Sequence, residues 1–153
     1  MAQLSWGKPT IEFGKCDANG AAPTAWTKLA YDPVENSTKL TPTKGEKKEA
    51  KVEGGENEAV KYAKNTYVFE FEIRAAKGRS KAIPDADGVV EGEYAVRLTP
   101  EDPTVEGILI EKATVSVEET FDTAEGKKWK YTFDVLKPAS GNQVKPYIVS
   151  AES

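Results

Sequence analysis

The chain has 153 residues, of which 39% are hydrophobic and 30% charged. It is therefore long enough to bury a core in a single domain, residues 1–153, and too apolar for a disordered polymer. The 25 acidic residues exceed the 21 basic ones and give a formal net charge of -4, which argues against nucleic acid or an anionic membrane as the main partner. No stretch approaches the roughly 20 apolar residues of a membrane-spanning helix, and the N-terminal residues lack the pattern of a secretory signal.

The first third of the chain predicts only short or polar strands, at residues 10–13, 25–31 and 47–52. Between and around them lies a polar segment, residues 35–58, rich in Lys, Glu, Thr and Gly and poor in large apolar side chains. It is either an exposed loop or a hairpin with both faces in water until a partner covers it. Structureless loops of this length are rare unless they are functional. Residues 56–64 follow as the one helix candidate, because Ala59, Val60 and Ala63 could line one side of two turns.

Three later segments alternate apolar and polar residues with a period of two: residues 67–75, 113–119 and 128–136. Successive side chains of a strand point to opposite faces, so each segment predicts one dry and one solvated face. This pattern is typical of antiparallel sheets, since parallel strands buried on both faces read as continuous apolar runs. Weaker strands are expected at residues 93–98, 107–111 and 144–149.

Turn signals separate these strands. Residues 121–126 predict a hairpin tip with Gly126 at a positive φ, residues 83–88 a second turn, and residues 99–103 a third. We therefore expect seven to nine strands in an all-β fold, an antiparallel β-sandwich or partly closed barrel with at most one short helix.

The residues that most enzymes depend on are scarce. The chain has no His and only one Cys, Cys16, which disfavours zinc sites and the usual Ser-His-Asp and Cys-His nucleophile systems. Asp85 and Asp87 offer hard oxygen ligands for a cation, but the surrounding spacing does not fit an EF-hand, and Asp with Gly88 makes a good turn. We expect no enzymatic activity, no cofactor and no metal.

Tryptophans offer a second possible function. Trp129 is in phase with Tyr131 and Phe133 and is expected in the core. Trp6 and Trp26 could instead stack on sugars or contact a protein, which leaves an Ig-like binding module for carbohydrate or a protein partner as the alternative.

The order of segments resembles the tail tube (major tail) proteins of long-tailed bacteriophages and prophages. The resemblance rests on Leu40-Thr-Pro-Thr-Lys-Gly-Glu46, then Lys51-Val-Glu-Gly-Gly-Glu56, then Asn65-Thr-Tyr-Val-Phe-Glu-Phe-Glu72. It implies a β-sandwich subunit that forms a homo-oligomeric, hexameric ring. Such rings stack with other tail proteins around the passage for DNA, without specific nucleic-acid or membrane binding.

The same resemblance implies a protein made in the bacterial cytoplasm and then carried in the virion tail. In that family the long loop near the first third of the chain contacts a neighbouring subunit or ring, which by position is residues 35–58 here. The expected contact residues are Lys39, Leu40, Lys44, Glu46, Lys48, Lys51, Glu53 and Glu56.

Overall fold

The structure is a computed structural model and describes residues 4–17, 20–21, 23–138 and 140–148. These residues form ten strands and no helix, so the fold is all-β as predicted. The strands are β1 (Thr10–Lys15), β2 (Thr27–Lys28), β3 (Lys39–Thr43), β4 (Lys47–Lys51), β5 (Asn57–Tyr62), β6 (Thr66–Arg74), β7 (Val89–Thr99), β8 (Gly107–Asp122), β9 (Gly126–Val135) and β10 (Lys145–Tyr147). The part of the chain described here holds no helix long and apolar enough to cross a membrane.

Eight strands form one antiparallel sheet in the order β2-β1-β7-β8-β9-β6-β3, with β10 paired to β8. This sheet curls into a half-barrel, the partly closed form of the predicted architecture. Strand β8 is 16 residues long. It pairs with β7 along one edge, and along its other edge the partner changes from β10 to β9. Its residues from Ala113 to Asp122 pair with β9, and those from Gly107 to Leu109 pair with β10. β4 and β5 form a separate two-stranded sheet.

The core lies on one face of the large sheet and follows the alternation of the sequence. Phe69 and Phe71 of β6 are buried, as are Tyr131 and Phe133 of β9. The rings of these four residues lie with centroids 5.2 to 6.0 Å apart in tilted and edge-on arrangements, which aromatic pairs prefer. Trp129 is 7% exposed, so its predicted place in the core is confirmed.

Residues 29–34 join β1 to β6 through backbone hydrogen bonds at both ends. The Leu29 amide donates to the Ile11 carbonyl of β1 over 2.9 Å, and the Val34 amide donates to the Glu72 carbonyl of β6 over 2.7 Å. β1 and β6 are separated by three strands in the sheet, so this segment links two otherwise distant parts of it. Leu29 and Tyr31 pack against the core.

The connection between β6 and β7 covers one end of the core. Ile83 is 1% exposed, and the neighbouring Ala82 amide donates to the Tyr131 hydroxyl over 3.0 Å. The connection ends in a two-residue turn in which Asp87 and Gly88 have φ values of 51° and 88°. Two positive φ values in succession are the geometry of a type I′ turn, for which Asp-Gly is a favoured sequence. The predicted turn at residues 83–88 is confirmed.

Several sequence-based boundaries need correction. Residues 107–111 and 113–119 belong to one continuous strand, β8, and the predicted strand at 25–31 is reduced to Thr27–Lys28. The strand predicted at 144–149 is seen as Lys145–Tyr147, and Val149 lies outside the described residues. The hairpin tip at 121–126 is confirmed, with Gly126 at a φ of 80°.

Two strands were not predicted as such: β3 lies within the polar segment 35–58, and β5 overlaps its C-terminal end. The predicted helix at 56–64 is wrong, because residues Asn57–Tyr62 are strand β5, paired with β4. Strand β3 contains Pro42, which lacks an amide hydrogen and normally interrupts a sheet. It is tolerated here because β3 is at the edge of the large sheet, where its free side needs no donor.

Candidate assembly interface

The most unusual feature of the molecule is a projecting arm, residues 44–65. The last pair of β3 with β6 joins Thr43 to Thr66, so the chain leaves the sheet and re-enters it at one point. In the described part of the chain, β4 and β5 pair with each other and with no other strand. Every residue from Glu46 to Thr66 is exposed. The arm is therefore a two-stranded ribbon with water on both faces and along both edges.

The base of the arm is held by a close backbone crossing. A Cβ atom at Gly45 would lie 2.0 Å from the carbonyl oxygen of Ala63, so only glycine fits at this position. The Gly45 amide donates to the Asn65 side-chain oxygen over 3.0 Å. Gln143 donates its side-chain amide to the Asn65 carbonyl over 3.1 Å, which connects the base to the body. Asn65 thus fixes where the ribbon leaves the sheet.

A glycine turn closes the far end of the arm, here called the tip, residues 52–56. The Val52 amide donates to the Glu56 carbonyl over 2.9 Å, and the Gly55 amide donates to the Val52 carbonyl over 3.1 Å. Gly54 and Gly55 have φ values of 96° and 90°, which residues with side chains rarely adopt. The two glycines therefore specify a tight tip.

One face of the ribbon combines charge with apolar surface. The pairs Lys47–Tyr62 and Glu49–Val60 lie directly opposite each other, and the side chains of Tyr62 and Val60 are 48% and 43% exposed. Lys47 and Lys51 place their Nζ atoms 2.5 and 3.6 Å from the Glu49 carboxylate. The hydrogen bond from Lys47 keeps the pKa of Glu49 below its ordinary value. This face of the ribbon therefore presents two neighbouring apolar side chains to solvent beside a cluster of paired charges.

Six of the eight residues predicted as contacts lie on this arm. Lys44 and Glu46 are at its base, Lys48 and Lys51 on β4, and Glu53 and Glu56 at the tip; Lys44 also places its Nζ 4.6 Å from the Tyr62 ring.

Lys39 and Leu40 belong instead to the body. Both are in β3, where Lys39 Nζ lies 3.2 Å from the Glu70 carboxylate and Leu40 packs against the core. The predicted arm at 35–58 therefore begins too early and ends too early. The half of the arm that the prediction missed is β5. The sequence signal for it was the pair Gly54-Gly55, which lies midway between β4 and β5 as the turn of a hairpin does.

The two candidate binding tryptophans have different environments. Trp26 is half-buried, and its ring lies 4.4 Å from the guanidinium of Arg97, which also forms a two-bond contact with Glu12. Its apolar face is therefore used within the molecule. Trp6 is 77% exposed and remains available to a partner.

Asp85 and Asp87, the carboxylates considered as cation ligands, belong to the turn that precedes β7. Asp85 accepts hydrogen bonds from Lys81 Nζ and from the Gly88 amide, over 2.7 and 2.8 Å. The Lys81 hydrogen bond, followed by that from Gly88, lowers the pKa of the Asp85 carboxyl. A carboxylate already paired with an ammonium group is poorly placed to bind a cation. No group of three or more metal-ligating side chains occurs in the described ranges.

Cys16 is buried beside β8, where its thiol donates to the Glu111 carbonyl over 3.3 Å. Burial raises the pKa of the thiol, and the negative charge of Glu93 raises it further. The thiolate, which is the nucleophilic form, is therefore disfavoured at this position.

Comparison with known proteins adds no family to these observations. The sequence matches no protein-family profile, and it has no significant similarity to a curated protein. The function is therefore inferred from the residues and geometry of the chain itself, above all from the arm.

Proposed function

We propose that this protein is a structural subunit of a phage or prophage tail, a tail tube protein that assembles into stacked, hexameric rings with other tail proteins. The observation that carries the proposal is the arm: 21 consecutive exposed residues, Glu46 to Thr66, of which most form a regular ribbon. In this proposal the arm reaches a neighbouring subunit, and the body forms the wall of the tube.

Physical reasoning supports a partner for the arm. A two-stranded hairpin with no apolar face against a core is marginally stable in water by itself. Its outer edges also present unpaired backbone groups, which are ready to pair with another chain. A ribbon that is kept long and exposed despite this cost is best explained by an interface that it completes.

The resemblance to tail tube proteins maps onto the arm in a consistent order. The stretch from Leu40 to Glu46 covers β3 and the base, the stretch from Lys51 to Glu56 covers the tip, and Asn65 to Glu72 covers the return into β6. The net charge of -4 suits a wall around a DNA passage, because like charge opposes binding of phosphate. The protein would accordingly be made in the bacterial cytoplasm and end in the virion.

The test is assembly with and without the arm. Because Thr43 and Thr66 are paired, residues 44–65 can be replaced by Asn-Gly, which closes a two-residue hairpin between β3 and β6. We expect the full chain to form rings and tubes in electron micrographs when a tail initiator is supplied. The armless variant should retain the body fold, judged by circular dichroism and a cooperative unfolding transition, and should form no tubes.

Two results would contradict the proposal. The first is a full chain that remains monomeric at high concentration with the initiator present. The second is an armless variant that builds tubes as well as the full chain does.

A second candidate keeps one specific observation in its favour, the exposed Trp6. Exposed tryptophans stack on sugar rings in carbohydrate-binding modules. Glycan-array binding that disappears in Trp6→Ala and persists in Trp26→Ala would favour this binding module over a tail subunit. Absence of binding by the unmodified chain would remove it.

A further inference from the structure

We propose that the acidic tip of the arm docks on a basic connection, residues 74–81, of a second copy of this chain, so that copies stack head to tail. This inference rests on the proposed assembly and deepens it, because it names the two surfaces that meet. The partner is identified by charge complementarity between two exposed, opposite regions of one molecule.

Charges on the arm are segregated along its length. The tip carries Glu53 and Glu56, and Glu58 follows on β5 at the β-bulge; no ion pair joins these three to a described lysine or arginine. The other end of the ribbon is net positive, with Lys44, Lys48, Lys61 and Lys64 exposed against one exposed carboxylate, Glu46. Residues 51–58 therefore carry three glutamates against the single Lys51, so the tip end of the arm is net negative.

The connection after β6 is its counterpart. Residues 73–84 contain four cationic side chains and no carboxylate: Arg74, Lys77, Arg79 and Lys81. Lys81 is paired with Asp85 and Glu119, but the described carboxylates form no ion pair with the other three.

The three unpaired cations differ in how firmly they are held. Arg74 and Lys77 are exposed. Arg79 lies 4.9 Å from the Tyr31 ring and donates to the Arg74 carbonyl over 3.1 Å, which holds the connection in place.

Several other charges at this end of the molecule neutralise one another. Lys127 lies 3.4 Å from Glu119, and Lys128 lies 2.8 Å from Glu125 and 3.7 Å from Glu72. Two of the four carboxylates of the β8–β9 hairpin, Glu119 and Glu125, are thus paired with lysines, and Glu118 and Asp122 form no ion pair among the described residues. The unpaired positive charge is left on the connection itself.

The two regions lie at opposite ends of one strand. The arm joins β6 at Thr66, and the connection leaves β6 after Arg74. Nine residues of β-strand rise about 26 Å from first to last. A tip at one end and its complement at the other give a heterologous contact, which repeats in one direction and builds stacks rather than closed pairs.

Charge reversal tests this pairing. The tip variant is Glu53→Lys/Glu56→Lys, and the connection variant is Arg74→Glu/Lys77→Glu, which leaves the packed Arg79 intact. Each variant alone places like charges against each other, so we expect the concentration for half-maximal association to rise about tenfold or more. Matched controls change the same net charge at other exposed sites, Glu35→Lys/Glu106→Lys and Lys28→Glu/Lys137→Glu, and should associate like the unmodified chain.

The decisive experiment is an equimolar mixture of the two variants. The basic tip of one then faces the acidic connection of the other, and the acidic tip of the second faces the basic connection of the first. Sedimentation velocity at low salt should show association in the mixture, with alternating copies, where neither variant alone associates. Circular dichroism and unfolding of each variant establish that both are folded.

Three outcomes would overturn the docking. Tip and connection variants that associate as well as the unmodified chain would remove the charge pairing while leaving the tail function standing. A mixture that sediments no faster than its separate components would do the same. Rescue of the tip variant by Lys48→Glu/Lys61→Glu, and not by the connection variant, would show arm-to-arm pairing instead. Failure of initiator-driven tubes tests the tail function, whereas the mixing test needs only association of two copies.

Discussion

Glu12 and Arg97 face each other across β1 and β7, and Arg97 donates from Nε and one terminal nitrogen to the two Glu12 carboxylate oxygens over 3.1 and 3.2 Å. The rings of Trp26 and Tyr147 lie 4.4 and 5.0 Å from the same guanidinium. One side chain therefore ties β1, the segment before β2 and β10 together. Arginine is suited to this position because its planar group can accept stacking and donate two parallel bonds at once.

We expect Arg97→Lys to lower the free energy of unfolding by about 2 kcal/mol, because lysine keeps the charge but loses the two-bond contact and the stacking. Urea unfolding followed by circular dichroism measures the loss. Acrylamide quenching should become stronger as Trp26 loses its cover, and Trp6→Phe is the background in which to observe it. Lys28→Arg, on the neighbouring strand, is the control and should change neither quantity; equal unfolding curves for Arg97→Lys and the unmodified chain would contradict the role of this residue.

Tyr131→Phe should lower the free energy of unfolding by about 1 to 3 kcal/mol. The tyrosine hydroxyl accepts from the Ala82 amide, and its loss leaves a partly buried donor without a partner. We also expect the amides of Ala82 and Ile83 to exchange with solvent faster than those of β8. Hydrogen exchange followed by mass spectrometry distinguishes this local opening from a uniform loss of stability, which would argue against a specific anchoring role.

Gly45→Ala should displace the arm with little effect on the body. The added Cβ meets the Ala63 carbonyl oxygen, and backbone on both sides prevents an easy adjustment. We expect faster exchange of the arm amides and weaker assembly, with a change in Tm below about 2 °C because no core residue is involved. Gly126→Ala is the matched control: a Cβ there also meets nothing within 4 Å, and the strain of its positive φ is confined to the β8–β9 hairpin, so the arm should stay where it is. A Gly45→Ala protein that assembles normally would show that the crossing does not position the arm.

The Lys81–Asp85–Glu119 cluster predicts a loss of stability in acid. The pKa values of Asp85 and Glu119 are lowered in the folded protein, in both cases first by the hydrogen bond from Lys81. Their contribution is therefore complete above the unfolded carboxyl pKa values of about 4 and is lost as the pH falls through the lower, folded values. Denaturant unfolding between pH 6 and pH 2 should show a shallower pH dependence in Asp85→Asn than in the unmodified chain. Asp134→Asn, on an exposed position of β9, is the control, and identical slopes for Asp85→Asn and the unmodified chain would refute the assignment.

Alternation predicted the strands that have one dry face. In β6, Phe69, Phe71 and Ile73 are buried while Glu70 and Glu72 lie on the other face, and β9 repeats the pattern. The period of two is visible in such strands because burial selects apolar residues at every second position. Turn residues, rather than alternation, located the hairpin between β8 and β9 and the turn before β7.

The arm lacks that signal because neither of its faces is buried. With no selection for apolar residues at alternate positions, Ala59, Val60 and Ala63 fell by chance at a helical spacing. What makes residues Asn57–Tyr62 a strand is pairing with β4, a relation between distant residues that a window along one segment does not register. Composition still located the arm approximately, since a long polar segment in a compact protein is unusual.

The pairing of Thr43 with Thr66 fixes the base of the arm, so the distance of the tip from the body depends only on the length of β4 and β5. Adding two residues to each of β4 and β5 would carry the tip about 7 Å further from the body without altering any residue of the core. In a stack of copies, the repeat distance would then be set by the length of the ribbon and could change independently of the fold. The spacing between neighbours becomes a property that insertions and deletions within residues 46–64 can adjust, while the half-barrel remains the same.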